Sequence, residues 1–126
     1  LDDDLMATAD QLGLTPVLDE VAANLSYGTL RQLELAMVMA QKPRLLLLDE
    51  PAAGLSHAER QVLQGILQDL PKEVTLLMIE HDMEMVLALS DRISVLHQGK
   101  IFAEGSPEEI AAHDGVKDIY LGRANG

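Results

Sequence analysis

Asp49 and Glu50 follow four consecutive leucines, Leu45 to Leu48, and precede Pro51. Such a run predicts a strand buried on both faces with charges at its C-terminal end, where open parallel sheets place their ligands. A rigid strand holds two carboxylates at fixed depth, about one residue apart. Asp49 then suits orienting Mg²⁺ through water, and Glu50 suits polarising the water that attacks a terminal phosphate. Read alone, the run is equally a strand ending in two solvated acids. His81, between Glu80 and Asp82, offers an imidazole for a phosphate oxygen or an attacking water, and a capping or surface residue is its plain alternative. Leu25-Ser26-Tyr27-Gly28 sets a hydroxyl and a flexible backbone before a helix, whose N-terminus favours anions. An ordinary loop in which Ser26 caps that helix is the other reading. His57, His97 and His113 show no metal-ligand spacing and read as surface or strand-face residues.

The elements that must position these groups follow from apolar period and punctuation. Leu5, Ala9 and Leu12 are spaced as a helix, started by the acidic run Asp2 to Asp4 and ended at Gly13. Leu30, Leu33, Met37 and Ala40 predict a helix from about Thr29 to Gln41, stopped by Pro43. Ser56-His57-Ala58-Glu59 has the form of a capping box, and Val62, Leu63, Ile66, Leu67 and Leu70 make one apolar face behind it, up to Pro71. Val74 to Ile79 predicts a second buried strand, ending in Glu80-His81-Asp82. Asp82 is placed to cap a helix over Met83 to Ser90. Ile93 to Ala103 reads as a hairpin turning at Gln98-Gly99, and Ser106-Pro107-Glu108-Glu109 opens another capped helix. Strand-helix alternation predicts an α/β domain, mostly parallel with one antiparallel extension.

Composition narrows the partners. The 126 residues carry 9 Lys+Arg against 21 Asp+Glu, a net charge of −12, which argues against tracking a nucleic-acid backbone. Hydrophobic residues are 48%, enough for a modest core. The absence of cysteine excludes disulfides and thiolate metal sites. No apolar run approaches the roughly 18 to 20 residues of a membrane span.

In order along the chain, Leu25-Ser26-Tyr27-Gly28, L-L-L-L-D-E-P over residues 45–51, Ala53-Gly54-Leu55-Ser56 and Glu80-His81-Asp82 resemble the signature motif, Walker B, D-loop and H-loop of the ATP-binding-cassette (ABC) transporter ATPases. Tyr27, Arg31, Leu33-Glu34, Ala52 to Leu55 and Glu80 to Met83 look most like subunits of branched-chain amino acid importers. Tyr27 and Thr29 stand where the commonest signature has Gly and Gln, Ser56 where Asp is usual and Met37 where Arg is common.

The resemblance implies the C-terminal half of a P-loop NTPase (RecA-like) ABC ATPase domain. Residues 1–43 would belong to the helical subdomain and 44–126 to the core. It implies ATP and Mg²⁺, with Asp49 as the Mg²⁺ residue, Glu50 as catalytic base and His81 as sensor of the γ-phosphate. Leu25, Ser26, Tyr27 and Gly28 would serve ATP held by a second subunit in a head-to-tail dimer, and Ala53, Gly54, Leu55 and Ser56 would contact that partner. Transmembrane permease subunits would hold the ATPase peripherally at the cytoplasmic face, without membrane insertion of its own or a nucleic-acid partner. No G-x-x-x-x-G-K-[ST] phosphate loop occurs in the 126 residues. The resemblance places it upstream of Leu1, so the chain alone is expected to hydrolyse little or no ATP, and the strand edge near Ile93 to Leu96 is expected to lie unpaired. A half-domain that binds or regulates a partner ABC ATPase without catalysis is the alternative.

Overall fold

The computed structural model describes residues 2–120. By compactness the chain divides into one unit up to Ile79 and a second from Glu80.

In the first unit, helix α1 (Asp3–Gln11) starts where the Asp2 carboxylate accepts the Leu5 N–H at 2.9 Å. Short 3₁₀ turns at Thr15–Val17 and Ala22–Asn24 lead to α2 (Tyr27–Met39). That helix begins two residues before the expected start because Ser26 is its cap, the Ser26 Oγ accepting the Thr29 N–H at 3.2 Å. Strand β1 (Leu45–Asp49) crosses through α3 (His57–Gln68) to β2 (Thr75–Ile79), which lies parallel to it from Leu45 opposite Thr75 to Asp49 opposite Ile79. The capping box of α3 forms as the sequence predicts. Ser56 Oγ accepts the Glu59 N–H at 3.2 Å, and the Glu59 carboxylate accepts the Ser56 N–H at 2.8 Å. Leu12, Leu35, Leu46, Leu63, Ile66 and Leu67 are buried.

The strands differ from expectation in one respect: neither is buried on both faces. Leu46 is 2% exposed, whereas Leu45 is 55%, Leu47 63%, Leu77 62% and Ile79 62% exposed. Successive side chains of a strand point to opposite faces, so a fully apolar run announces a strand but not how many of its faces are covered. Here the register puts Leu47 beside Leu77 on the open face.

The second unit opens with α4 (Met83–Leu89), capped as expected by Asp82. Strands β3 (Ile93–His97) and β4 (Lys100–Gly105) pair antiparallel through Gln98-Gly99, whose φ values of +50° and +75° suit a two-residue type I′ hairpin. They form a sheet separate from the parallel pair, and among the described residues β3 has a strand on one edge only. A second capping box, Ser106 with Glu109, starts α5 (Pro107–Ala112). Ile93, Val95, Ile110 and Val116 form the core, with Met83, Val86, Leu87 and Ala103 packed against it.

A last helix, α6 (Asp114–Tyr120), has no counterpart in the sequence reading. His113 is exposed, as a surface residue is, and it also starts this helix: His113 Nδ1 accepts the Val116 N–H at 3.3 Å, and the ring meets Phe102 edge-on at 5.5 Å. Imidazole is an uncommon cap, so the usual start signals are missing there. His97 packs edge-on to the same ring from β3, at 6.1 Å.

Candidate functional site

The two parallel strands end together, and the chain turns sharply after Asp49. Glu50 takes the left-handed conformation with φ +46°, unusual for a residue with a long side chain. Its N–H donates to Ile79 O at 2.8 Å and its carbonyl accepts the Ala53 N–H at 3.0 Å, so the turn is anchored on both sides. Asp49 and Glu50 are both exposed at the strand end, as the sequence expects. Among the described residues no cluster of three or more acids and histidines could cage a metal. Mg²⁺ characteristically takes one or two carboxylates plus phosphates and water, so a single well-placed Asp49 fits it.

The turn continues into Gly54 (φ +77°), buried Leu55 and the cap residue Ser56. Here the structure brings together two segments that the sequence left apart, residues 25–28 and 53–56. The Tyr27 hydroxyl donates to Ala53 O across a long 3.4 Å, and its ring lies over Gly54, where an added Cβ would meet Tyr27 Cε1 at 3.1 Å. Arg31, one turn along α2, donates to the Tyr27 oxygen from Nε at 3.1 Å and Nη2 at 2.8 Å while pairing with Glu34 at 2.8 Å. Glu34 first, and Tyr27 second, hold the guanidinium more firmly protonated than usual. The half-exposed aromatic ring thereby becomes a fixed brace between the α2 start and the turn.

Beside it Gly28 is buried, and the Glu59 side chain lies across it: a Cβ there would meet Glu59 Oε1 at 2.6 Å. Glu59 titrates below the ordinary glutamate value, chiefly because the Ser56 N–H and hydroxyl stabilise its charge, with the Gly28 N–H adding to them. Ser26, Gly28, Thr29, Leu55, Glu59 and Val62 are among the residues lining a cleft of about 200 Å³. Its lining takes in the N-terminal ends of both α2 and α3.

His81 belongs to the second unit. It is exposed, and the Glu80 carboxylate accepts its N–H at 3.1 Å just before α4. Sequence reasoning recognised the capping role of Glu59 but missed its contact with Gly28, and it missed the bracing role of Arg31. The spacing from Arg31 back to Tyr27, i and i−4 on one helix face, was the available signal.

Residues 1–53 match the ABC transporter family. The high-affinity branched-chain amino acid transport ATP-binding protein BraF of Pseudomonas aeruginosa is 44% identical over 117 residues, 91% of this chain and 46% of BraF. LivG of Escherichia coli, described in the same words, is 43% identical over the same shares. Thus the chain spans about half the length of the curated relatives it matches. Among solved structures, MJ1267, an ATP-binding cassette of an ABC transporter, superposes with TM-score 0.80 at 26% identity, over 93% of this chain and 48% of that one. CbiO1 of Clostridium perfringens, part of the ABC transporter complex cbiONQ, gives 0.80 at 25%, over 96% and 50%. In sequence and in fold, the chain matches the ABC transporter ATPases over about half of their length.

Proposed function

We propose that this chain works as the C-terminal half of the ATP-hydrolysing domain of an ABC importer for branched-chain amino acids or a related small solute. Residues 1–43 contribute to the helical subdomain and 44–126 to the RecA-like core. The observation that carries the reading is Asp49-Glu50 at the end of a parallel strand, with Glu50 held left-handed by backbone bonds on both sides. Residues kept in sparsely populated backbone regions cluster at active sites, where the surrounding structure over-determines them.

In this reading Leu25, Ser26, Tyr27 and Gly28 present the α2 N-terminus to ATP on a second subunit, with the Ser26 hydroxyl and main-chain N–H groups as donors. Ala53, Gly54, Leu55 and Ser56 face that same subunit. Asp49 holds Mg²⁺, which when bound neutralises charge on the phosphates. A Glu50 carboxylate oxygen orients the attacking water and takes its proton. His81 donates a hydrogen bond to a γ-phosphate oxygen. Transmembrane permease subunits hold the assembly at the cytoplasmic face of the membrane. Among the described residues no helix is long and apolar enough to cross a membrane.

The test is a chimera that joins this chain to the phosphate-loop half of the E. coli relative. Expected is steady Mg-ATP hydrolysis, lowered about a hundredfold or more by Glu50→Gln, and none from residues 1–126 alone. A chimera whose hydrolysis ignored Glu50→Gln, or hydrolysis by the isolated chain that Glu50→Gln abolished, would overturn the reading. Leucine uptake with the matching permease reads the substrate class.

A further inference from the structure

The α2 N-terminus already has an anion against it. Ser26 Oγ satisfies the Thr29 N–H. The Glu59 side chain reaches across from α3, its Oε2 accepting the Ser56 N–H at 2.8 Å and its Oε1 so close to Gly28 that a Cβ there would stand 2.6 Å away. Gly28 is buried beneath it, and only a residue without a side chain admits the carboxylate at this depth. A negative charge at this position complements the helix dipole, as a phosphate would.

We propose that Glu59 is a positioning residue of the signature motif, whose carboxylate stands against Gly28 where the nucleotide phosphate of a second subunit would arrive and must move off as that nucleotide binds. The inference rests on the reading of Ser26 and Gly28 under Proposed function and adds to it a residue outside the family motifs. Two anions cannot share one helix N-terminus without repulsion, so Glu59 weakens capture of ATP by the signature while holding α2 and α3 in place when ATP is absent. It also ties the two motifs together, because the same carboxylate caps the helix that follows the D-loop.

Glu59→Gln separates charge from structure, since glutamine serves a capping box as glutamate does. Glu109→Gln, the same exchange in the second capping box, is the control. In the chimera carrying Glu50→Gln, the concentration of MgATP giving half-maximal dimer is read by size-exclusion chromatography. In the Glu50 background the KM for ATP is read beside kcat. Expected for Glu59→Gln is a fall in both the dimerisation midpoint and KM by about two- to fivefold, larger than any change in kcat, with Glu109→Gln moving neither. Glu59→Ala, which removes cap and charge together, lowers the melting temperature yet keeps the gain in ATP affinity. A midpoint and KM unmoved or raised in Glu59→Gln, while the unsubstituted chimera hydrolyses ATP and dimerises, overturns the role of Glu59 alone. An unsubstituted chimera that neither hydrolyses ATP nor dimerises with it overturns the underlying functional reading, and this proposal with it.

Discussion

Substituting Gly54 by alanine tests the brace between the signature segment and the turn after Glu50. Two costs are separable. The first is conformational: Gly54 has φ +77°, where an L-residue loses roughly 1 kcal/mol relative to glycine. The second is steric, because the new methyl would meet Tyr27 Cε1 at 3.1 Å, with Cζ and the hydroxyl oxygen at 3.6 Å. The ring is half-exposed, but its hydroxyl is held by Ala53 O and by two nitrogens of Arg31. Forcing it aside costs about 1 kcal/mol more, the low end of overpacking penalties. Gly13, in the same unit, supplies the comparison. Its φ is +70°, and a Cβ there meets only the flexible Gln32 amide, at 3.4 Å. Urea unfolding followed by circular dichroism should therefore place Gly13→Ala about 1 kcal/mol below the parent and Gly54→Ala about 2 kcal/mol below it. In a Tyr27→Ala background Gly54→Ala should cost only the conformational part, a coupling of about 1 kcal/mol, beyond the roughly 0.3 to 0.5 kcal/mol by which independent sites fail to add. Equal losses at Gly13 and Gly54, or a coupling within that scatter, would refute the brace.

Other substitutions probe the remaining links. Gly65, mid-helix in α3 with open space around its missing Cβ, should gain about 1 kcal/mol on change to alanine, read from the same urea curves. Leu46→Ala, at a buried position of β1, should lose about 2 to 5 kcal/mol, enough to show as a collapse of the unfolding midpoint. At Glu50, alanine and glycine both delete the carboxylate but only glycine is at ease at φ +46°; thermal unfolding should rank Glu50→Gly above Glu50→Ala by about 1 kcal/mol. Glu59 has a folded pKa below its unfolded one. The stability it confers is thus full above the unfolded value and fades as pH falls through the folded one. Urea midpoints of parent and Glu59→Gln should converge on acidification from about pH 6 to pH 3, and parallel curves would contradict the shift.

The sequence disclosed elements more readily than their surroundings. Ser56 and Glu59, Asp82, and Ser106 and Glu109 marked helix starts because a cap is a local arrangement within four consecutive residues, and all three formed. Gln98-Gly99 set the hairpin for the same reason. The leucines of β1 announced a strand, but the exposure of Leu45 and Leu47 depends on what else packs there, which no local pattern encodes. Helix α6 escaped because its cap is an imidazole rather than a hydroxyl or carboxylate. The contacts that build the candidate site, Tyr27 on Gly54 and Glu59 on Gly28, join residues 27 and 31 positions apart. Motif order brought Tyr27, Gly28 and Gly54 to notice and a capping box brought Glu59, and only the fold put them together.

Three non-glycine residues among those described have positive φ: Lys42, Glu50 and Gln98. Lys42 lies in the turn that ends α2, and Gln98 takes the first place of a two-residue hairpin loop, so chain reversal accounts for both. Glu50 differs because it follows a parallel strand directly, where an ordinary exit would avoid the left-handed region. Natural sequences usually make local preference and global fold agree, and the places where they conflict concentrate at functional sites. Glycine at 50 would remove the conflict, yet it would also remove the carboxylate beside Asp49. The backbone bonds to Ile79 and from Ala53 hold the strained turn instead, and that turn delivers Gly54 beneath Tyr27. The strain at Glu50 and the brace at Tyr27 are thus two ends of one five-residue turn. A change that relaxes the first should loosen the second, coupling the proposed catalytic base to the proposed signature within a single subunit.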